Sequence, residues 1–115
     1  GYRVLCGRNN LQNDELTMKL AERDDWWFHV KDAPGSHVVL FTEGKGEPDS
    51  ADFTEAATIA AVNSSLPENA TAEVDYTLRR YIKKPSGSKP GFVIYTKNWS
   101  ALVQADAALA RKLKK

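Results

Sequence analysis

The chain has one cysteine, Cys6, so no disulfide can close within it, and a reducing, cytoplasmic setting is the expectation. It has only two histidines, His29 and His37. Their seven-residue separation matches no closed zinc pattern, and a single cysteine is too few for a structural metal site. No metal and no cofactor is therefore expected. Long apolar runs are absent: none approaches the roughly 18 residues of a membrane helix, so no membrane partner is expected. No signal-peptide pattern opens the sequence. Acid is nearly missing from one end. Residues 76–115 hold ten Lys/Arg against one Asp, a balance of +9, while residues 1–75 hold six against fourteen Asp/Glu, a balance of −8. The net is only +1. Either the basic end meets an anion such as RNA, or the two ends neutralise each other in the fold.

The 115 residues suffice for one domain around one core. The chain opens on Gly1 and is strand-like by Tyr2, as in a domain belonging to a longer protein. Asn63-Ser64-Ser65, Asn69-Ala70-Thr71 and Asn98-Trp99-Ser100 are glycosylation triplets, but such triplets arise often by chance.

Tyr2 to Cys6 reads as a short strand. Arg8 to Asn13 reads as a loop, because Asn side chains compete for local backbone bonds. A short helix should follow Asn13 or Asp14, burying Leu16, Leu20 and Ala21. Trp26 to Lys31 alternates as a strand, with Trp26, Phe28 and Val30 on one face and Trp27, His29 and Lys31 on the other. In "DAPGS", Pro34 fixes φ and Gly35 permits φ > 0, so His37 to Thr42 should return as an antiparallel strand. Asp49 or Ser50 can cap a helix to about Ser65, with Phe53, Ala56, Ala57, Ala60, Ala61 and Ser64 on one face. Glu73 to Ile82 and Phe92 to Thr96 read as strands, and about Asp106 to Lys114 as a closing helix. The predicted class is α+β: a mixed or antiparallel sheet of about five strands, an Ala-rich helix on one face, and short N-terminal and C-terminal helices.

Several constellations could carry chemistry. His29 and His37 could meet across the hairpin, with Cys6 as a nucleophile, but no nucleophile signature accompanies them and Cys6 lies in an apolar strand. Asp24 and Asp25 could form an acid–base pair or simply end a helix. "PGSH" could hold a phosphate without matching P-loop spacing. Nucleic acid is the better functional reading. Trp27 and His29, with Lys31, would make a stacking strip, and stacking is worth roughly 1–3 kcal/mol per base. "RRYIKKPSGSKP" supplies Arg79, Arg80, Lys83, Lys84 and Lys89 with no intervening acid. The same features also fit a core tryptophan pair and a solvated basic loop.

Together the stretches "GRNNLQNDELTMKLAERDDWWFHVKDAPGSHVVL", "AATIAAVNSS" and "VDYTLRRYIKKPSGSKPGFVIY", with the ending "ALARKLKK", resemble the NFACT-R domain. The form found at the C-terminal end of bacterial RqcH/FbpA-type proteins is the nearest in order and ending. The resemblance runs over nearly the whole chain and implies a single domain over residues 1–115. It implies an RNA-binding module, not an enzyme, of ribosome-associated quality-control factors. Such factors bind a stalled large ribosomal subunit and recruit tRNA so that a C-terminal tail, chiefly alanine, is added to the nascent chain. The implied partners are the large subunit and tRNA or rRNA. Older naming of bacterial members implies an alternative: a protein-interaction module, including a fibronectin- or fibrinogen-binding adhesin. A third reading is an enzyme acting on nucleic acid through His29 and His37.

The resemblance falls on Gly7, Asn9, Asn13, Asp14, Thr17, Asp25, Trp26, His29, Pro34, Gly35, Ser36 and His37. Downstream it falls on Ala56, Ala57, Ala60, Ala61, Ser64, Tyr76, Lys84, Pro85 and Gly91. Its polar subset, Asn9, Asn13, Asp14, His29, Ser36 and His37, is the candidate RNA site. Lys31, Arg79, Arg80, Lys83, Lys84 and Lys89 are the candidate phosphate-holding flank. The family's N-terminal domain and helical middle region are not in this sequence, so tail extension by the chain alone is not expected.

Overall fold

Strand alternation and one alanine-lined helix face decide the architecture, which the computed structural model describes for residues 2–108. In chain order the elements are β1 (Arg3–Cys6), α1 (Asn10–Asp14), a π-helical turn (Glu15–Leu20), β2 (Trp26–Val30), β3 (Val38–Phe41), α2 (Ser50–Val62), β4 (Thr71–Leu78), a 3-10 turn (Arg79–Tyr81), β5 (Ile82–Lys83), β6 (Ile94–Tyr95) and β7 (Trp99–Gln104). The main sheet has five strands in the order β1-β3-β2-β4-β7, every neighbour antiparallel. β5 and β6 form a separate small hairpin.

Alternation along β2 sends Trp26, Phe28 and Val30 into a core with Val38, Leu40, Val74 and α2. Ala56, Ala57, Ala60 and Ala61 are all fully buried, which lets the α2 backbone lie close to the sheet. A capping box starts α2: Asp49 accepts from the Asp52 backbone N–H while the Asp52 carboxylate accepts from that of Asp49. Trp27 points the other way, into a second cluster with Leu16, Val39, Phe41 and Ile82. Each large side chain buried on the two faces contributes about 1.5–3 kcal/mol of hydrophobic stabilisation.

Four expectations need correction. The first helix starts at Asn10 rather than after Asn13, because Asn9 is a working N-cap rather than a loop residue. Leu20, expected on its buried side, is exposed. The fifth strand of the main sheet is Trp99–Gln104; the expected strand at Phe92–Thr96 shrinks to Ile94–Tyr95 in the small hairpin. In the β2–β3 turn the left-handed residue is Asp32, at φ 56, and not Gly35. Gly35 is needed for a close approach instead: a Cβ there would stand 3.1 Å from both Ser64 Cβ and Val30 Cγ1. The closing helix expected over 106–114 falls largely outside the described residues.

Candidate nucleic-acid interface

The polar motif of the first third builds a latch. Asn9 Oδ1 accepts from the Gln12 backbone N–H at 2.9 Å, starting α1. One turn on, Asn13 is buried and its Oδ1 accepts from the His37 backbone N–H at 3.1 Å. Gly7 completes the joint by donating to the His37 carbonyl at 3.0 Å. A Cβ on Gly7 would stand 2.0 Å from Asn13 Oδ1, so only glycine lets the Asn13 side chain reach β3. Two candidate RNA contacts, Asn9 and Asn13, thus have their side-chain oxygens engaged inside the fold.

Asp14 extends the latch to the far end of the chain. Its Oδ1 accepts from the Gly91 backbone N–H at 2.8 Å and from Lys84 Nζ at 3.2 Å. Lys84 Nζ also donates to the carbonyls of Lys89, at 2.5 Å, and Phe92, at 2.9 Å. The lysine-rich connector is therefore curled around one of its own ammonium groups and pinned to α1. Gly91, at φ +85, lies so close to Asn10 that a Cβ would come within 2.7 Å of its Oδ1.

His37 is the third anchor. It is buried, with Nε2 3.0 Å from the Gly91 carbonyl and Nδ1 2.8 Å from Thr17 Oγ1. A carbonyl only accepts, so Nε2 carries the proton and Nδ1 accepts from the Thr17 hydroxyl: a neutral imidazole with both nitrogens used. Burial pushes its pKa down to about 4, reinforced by His29, whose ring lies 5.7 Å away. Burial also lowers the pKa of His29, against backbone hydrogen bonding at Val30 and Gly35 and the charge of Asp75.

Trp27 is 2 % exposed, so the expected stacking strip is closed to a base. Its ring stacks at 6° on His29 and lies 5.2 Å from Tyr95. Beneath them Asp75 is buried, accepting from Tyr95 Oη and Ser100 Oγ, each at 2.7 Å. Burial and that carboxylate raise the Tyr95 pKa. Ser36 is half-buried and donates its backbone N–H to Asn63. The Pro34-Gly35 bend is tied to the end of α2 through Ser64 and Ser65, so the connector meets the hairpin at His37 rather than at the bend.

The cations divide. The π-helical turn sends the Ala21 N–H to Leu16, which frees the Thr17 carbonyl for Arg79 Nε. Arg79 also donates to the Ile82 carbonyl, at 3.2 Å. Arg80 pairs with Asp24, and Lys31 with Glu73 at 3.5 Å. Arg79 also lines an open cleft of about 570 Å³ with Arg23, where the acids Glu22, Asp24, Asp25 and Glu43 outnumber the two arginines. Asp25 is buried there and accepts from the backbone N–H groups of Glu22 and Thr42. Lys83 and Lys89 are exposed and, among the described residues, face no carboxylate at ion-pair distance.

Sequence reasoning missed Lys97 and Trp99. Lys97 Nζ lies 5.1 Å from the Trp99 ring and 5.8 Å from the Tyr81 ring. The signal was available: residues 76–105 contain no acid at all, and Lys97 and Trp99 fall inside that segment. Among the described residues no group of three His, Cys, Asp or Glu could hold a metal, and no helix is long and apolar enough to cross a membrane.

Comparison with known proteins shows the family. Residues 1–96 match the NFACT protein RNA binding domain. The chain is 49 % identical over 115 residues to the Rqc2 homolog RqcH of Bacillus subtilis, covering all of this chain and 20 % of that protein. It is 43 % identical over 112 residues to the Rqc2 homolog RqcH of Streptococcus pneumoniae, covering 97 % of this chain and 20 % of the relative. A solved structure, the C-terminal part of the fibronectin/fibrinogen-binding protein from Streptococcus suis, superposes with a TM-score of 0.87 at 39 % identity. That match covers 95 % of this chain and 43 % of the other. The chain thus spans about a fifth of the length of the curated relatives.

Proposed function

The chain belongs to the NFACT RNA-binding domain family, and from that premise we propose that it is the RNA-contacting module of a cytoplasmic ribosome-associated quality-control factor. In this reading the full-length protein binds the stalled large ribosomal subunit and helps position tRNA for alanine tailing. The module itself is not an enzyme. It supplies a rigid, basic contact and the ribosome supplies the chemistry. Support comes above all from one observation: the acid-free connector is folded onto α1 and His37 with Lys83 and Lys89 left exposed and unpaired among the described residues. Lys84, Asn9, Asn13, Asp14 and His37 are positioning residues in this account. A catalytic pair of histidines is disfavoured because both nitrogens of His37 are engaged and His29 is stacked on Trp27.

The likeness to the Streptococcus suis protein favours a second reading, a protein-binding module for fibronectin or fibrinogen. Titration of the chain with tRNA, with large-subunit rRNA fragments and with fibronectin separates the two. The RNA reading expects saturable binding to at least one RNA that weakens with added salt, and weaker binding to fibronectin. Saturable fibronectin binding with no RNA binding at low salt would replace it with the protein-interaction reading.

A further inference from the structure

One aromatic group stands apart from the latch and from the connector lysines. Trp99, in edge strand β7, is 38 % exposed although tryptophan is normally well covered. It is held from behind: the edge of Trp26 meets it at 5.7 Å and Tyr76 stacks at 6.2 Å. Lys97 lies over it and reaches toward Tyr81 as well. Among the described residues, Lys97 has no carboxylate partner. Among the described residues, its ring contacts alone hold the ammonium. The whole segment from Tyr76 to Ala105 carries cations and no acid. Lys97 and Trp99 also lie beyond the residues matched by the family, 1–96.

We propose that Trp99, with Lys97 and Tyr81, is a stacking seat for an unpaired RNA base, the Lys97 ammonium moving from the rings to the adjoining phosphate. The chemistry is complementary on both counts. An indole fixed by two aromatic neighbours needs no further ordering to take a base once the Lys97 ammonium leaves its ring, and stacking is tolerant of base identity. A cation held only by rings can exchange them for a phosphate without breaking an ion pair. A base paired within a duplex cannot present its face, so the seat selects single-stranded or looped RNA. This deepens the RNA-binding reading and rests on it.

The test uses a single-stranded 12-nucleotide RNA carrying 2-aminopurine, and the same strand annealed to its complement. With the unaltered chain, the single strand should bind with quenched 2-aminopurine fluorescence. Trp99→Leu should weaken single-strand binding roughly 5- to 100-fold and abolish the quench, while duplex binding changes less than about twofold. Trp99→Phe should retain most of both signals, and Lys97→Gln should weaken single-strand binding with the quench reduced. Thermal unfolding of each variant is measured alongside, and Lys97→Gln, which removes no core packing, reads the seat if Trp99→Leu unfolds. RNA binding that persists with the quench unchanged in Trp99→Leu and Lys97→Gln overturns the seat but leaves the RNA-binding reading standing. Absence of binding to either RNA overturns both.

Discussion

His37 reads in the sequence as a candidate functional histidine on a hairpin, and the fold gives both its ring nitrogens an internal partner. Its neutral tautomer is fixed by Thr17 and Gly91, and protonating it would charge a buried ring beside His29. The sign of the pH effect follows. A base whose pKa is depressed on folding binds fewer protons when folded, so its stabilising contribution is complete above about pH 6.5 and is lost as pH falls toward about 4. Urea unfolding across that window should show stability falling by up to about 3 kcal/mol, with a visibly shallower fall in His37→Gln. An identical pH profile in the variant would show that His37 is not the group responsible. Histidine beside a Gly-Ser turn looks the same in a sequence whether it faces solvent or a carbonyl. The partners that decide it, Thr17 and Gly91, are 20 and 54 residues away.

At the scale of elements, the legible parts were those with strong local periodicity. The alternation of β2 and the alanine face of α2 place Trp26, Phe28, Ala56 and Ala60 correctly in the core. β7 was illegible because it is an edge strand: Leu102 is 73 % exposed and Trp99 half-exposed, so its apolar residues do not mark a single buried face. The connector was legible as basic but not as folded. What gives it shape is Lys84, spent internally on Asp14 and two carbonyls. Lys84→Gln should lower stability by about 1–2 kcal/mol and speed amide exchange at Gly91 and Phe92, while leaving the salt dependence of RNA binding intact. A slope reduced by one with unchanged exchange would instead make Lys84 a phosphate contact.

Across the whole molecule, the charge asymmetry splits into two outcomes rather than one. Part of the basic end is neutralised within the fold: Arg80 meets Asp24 and Lys84 meets Asp14. Among the described residues, Arg79 donates to two carbonyls, while the exposed Lys83, Lys89 and Lys97 stay free of carboxylates. The sequence could count these charges but could not sort them, because the sorting acids lie in the first quarter of the chain. The central claim is that the lysines left over hold RNA phosphates. It is tested most directly by the slope of log K against log salt for RNA binding, measured for the chain and for Lys83→Ala/Lys89→Ala. The account predicts a slope about 2 units shallower in the double variant, one for each lost phosphate contact, with unchanged thermal unfolding. An equal slope and equal affinity in the two proteins would contradict it.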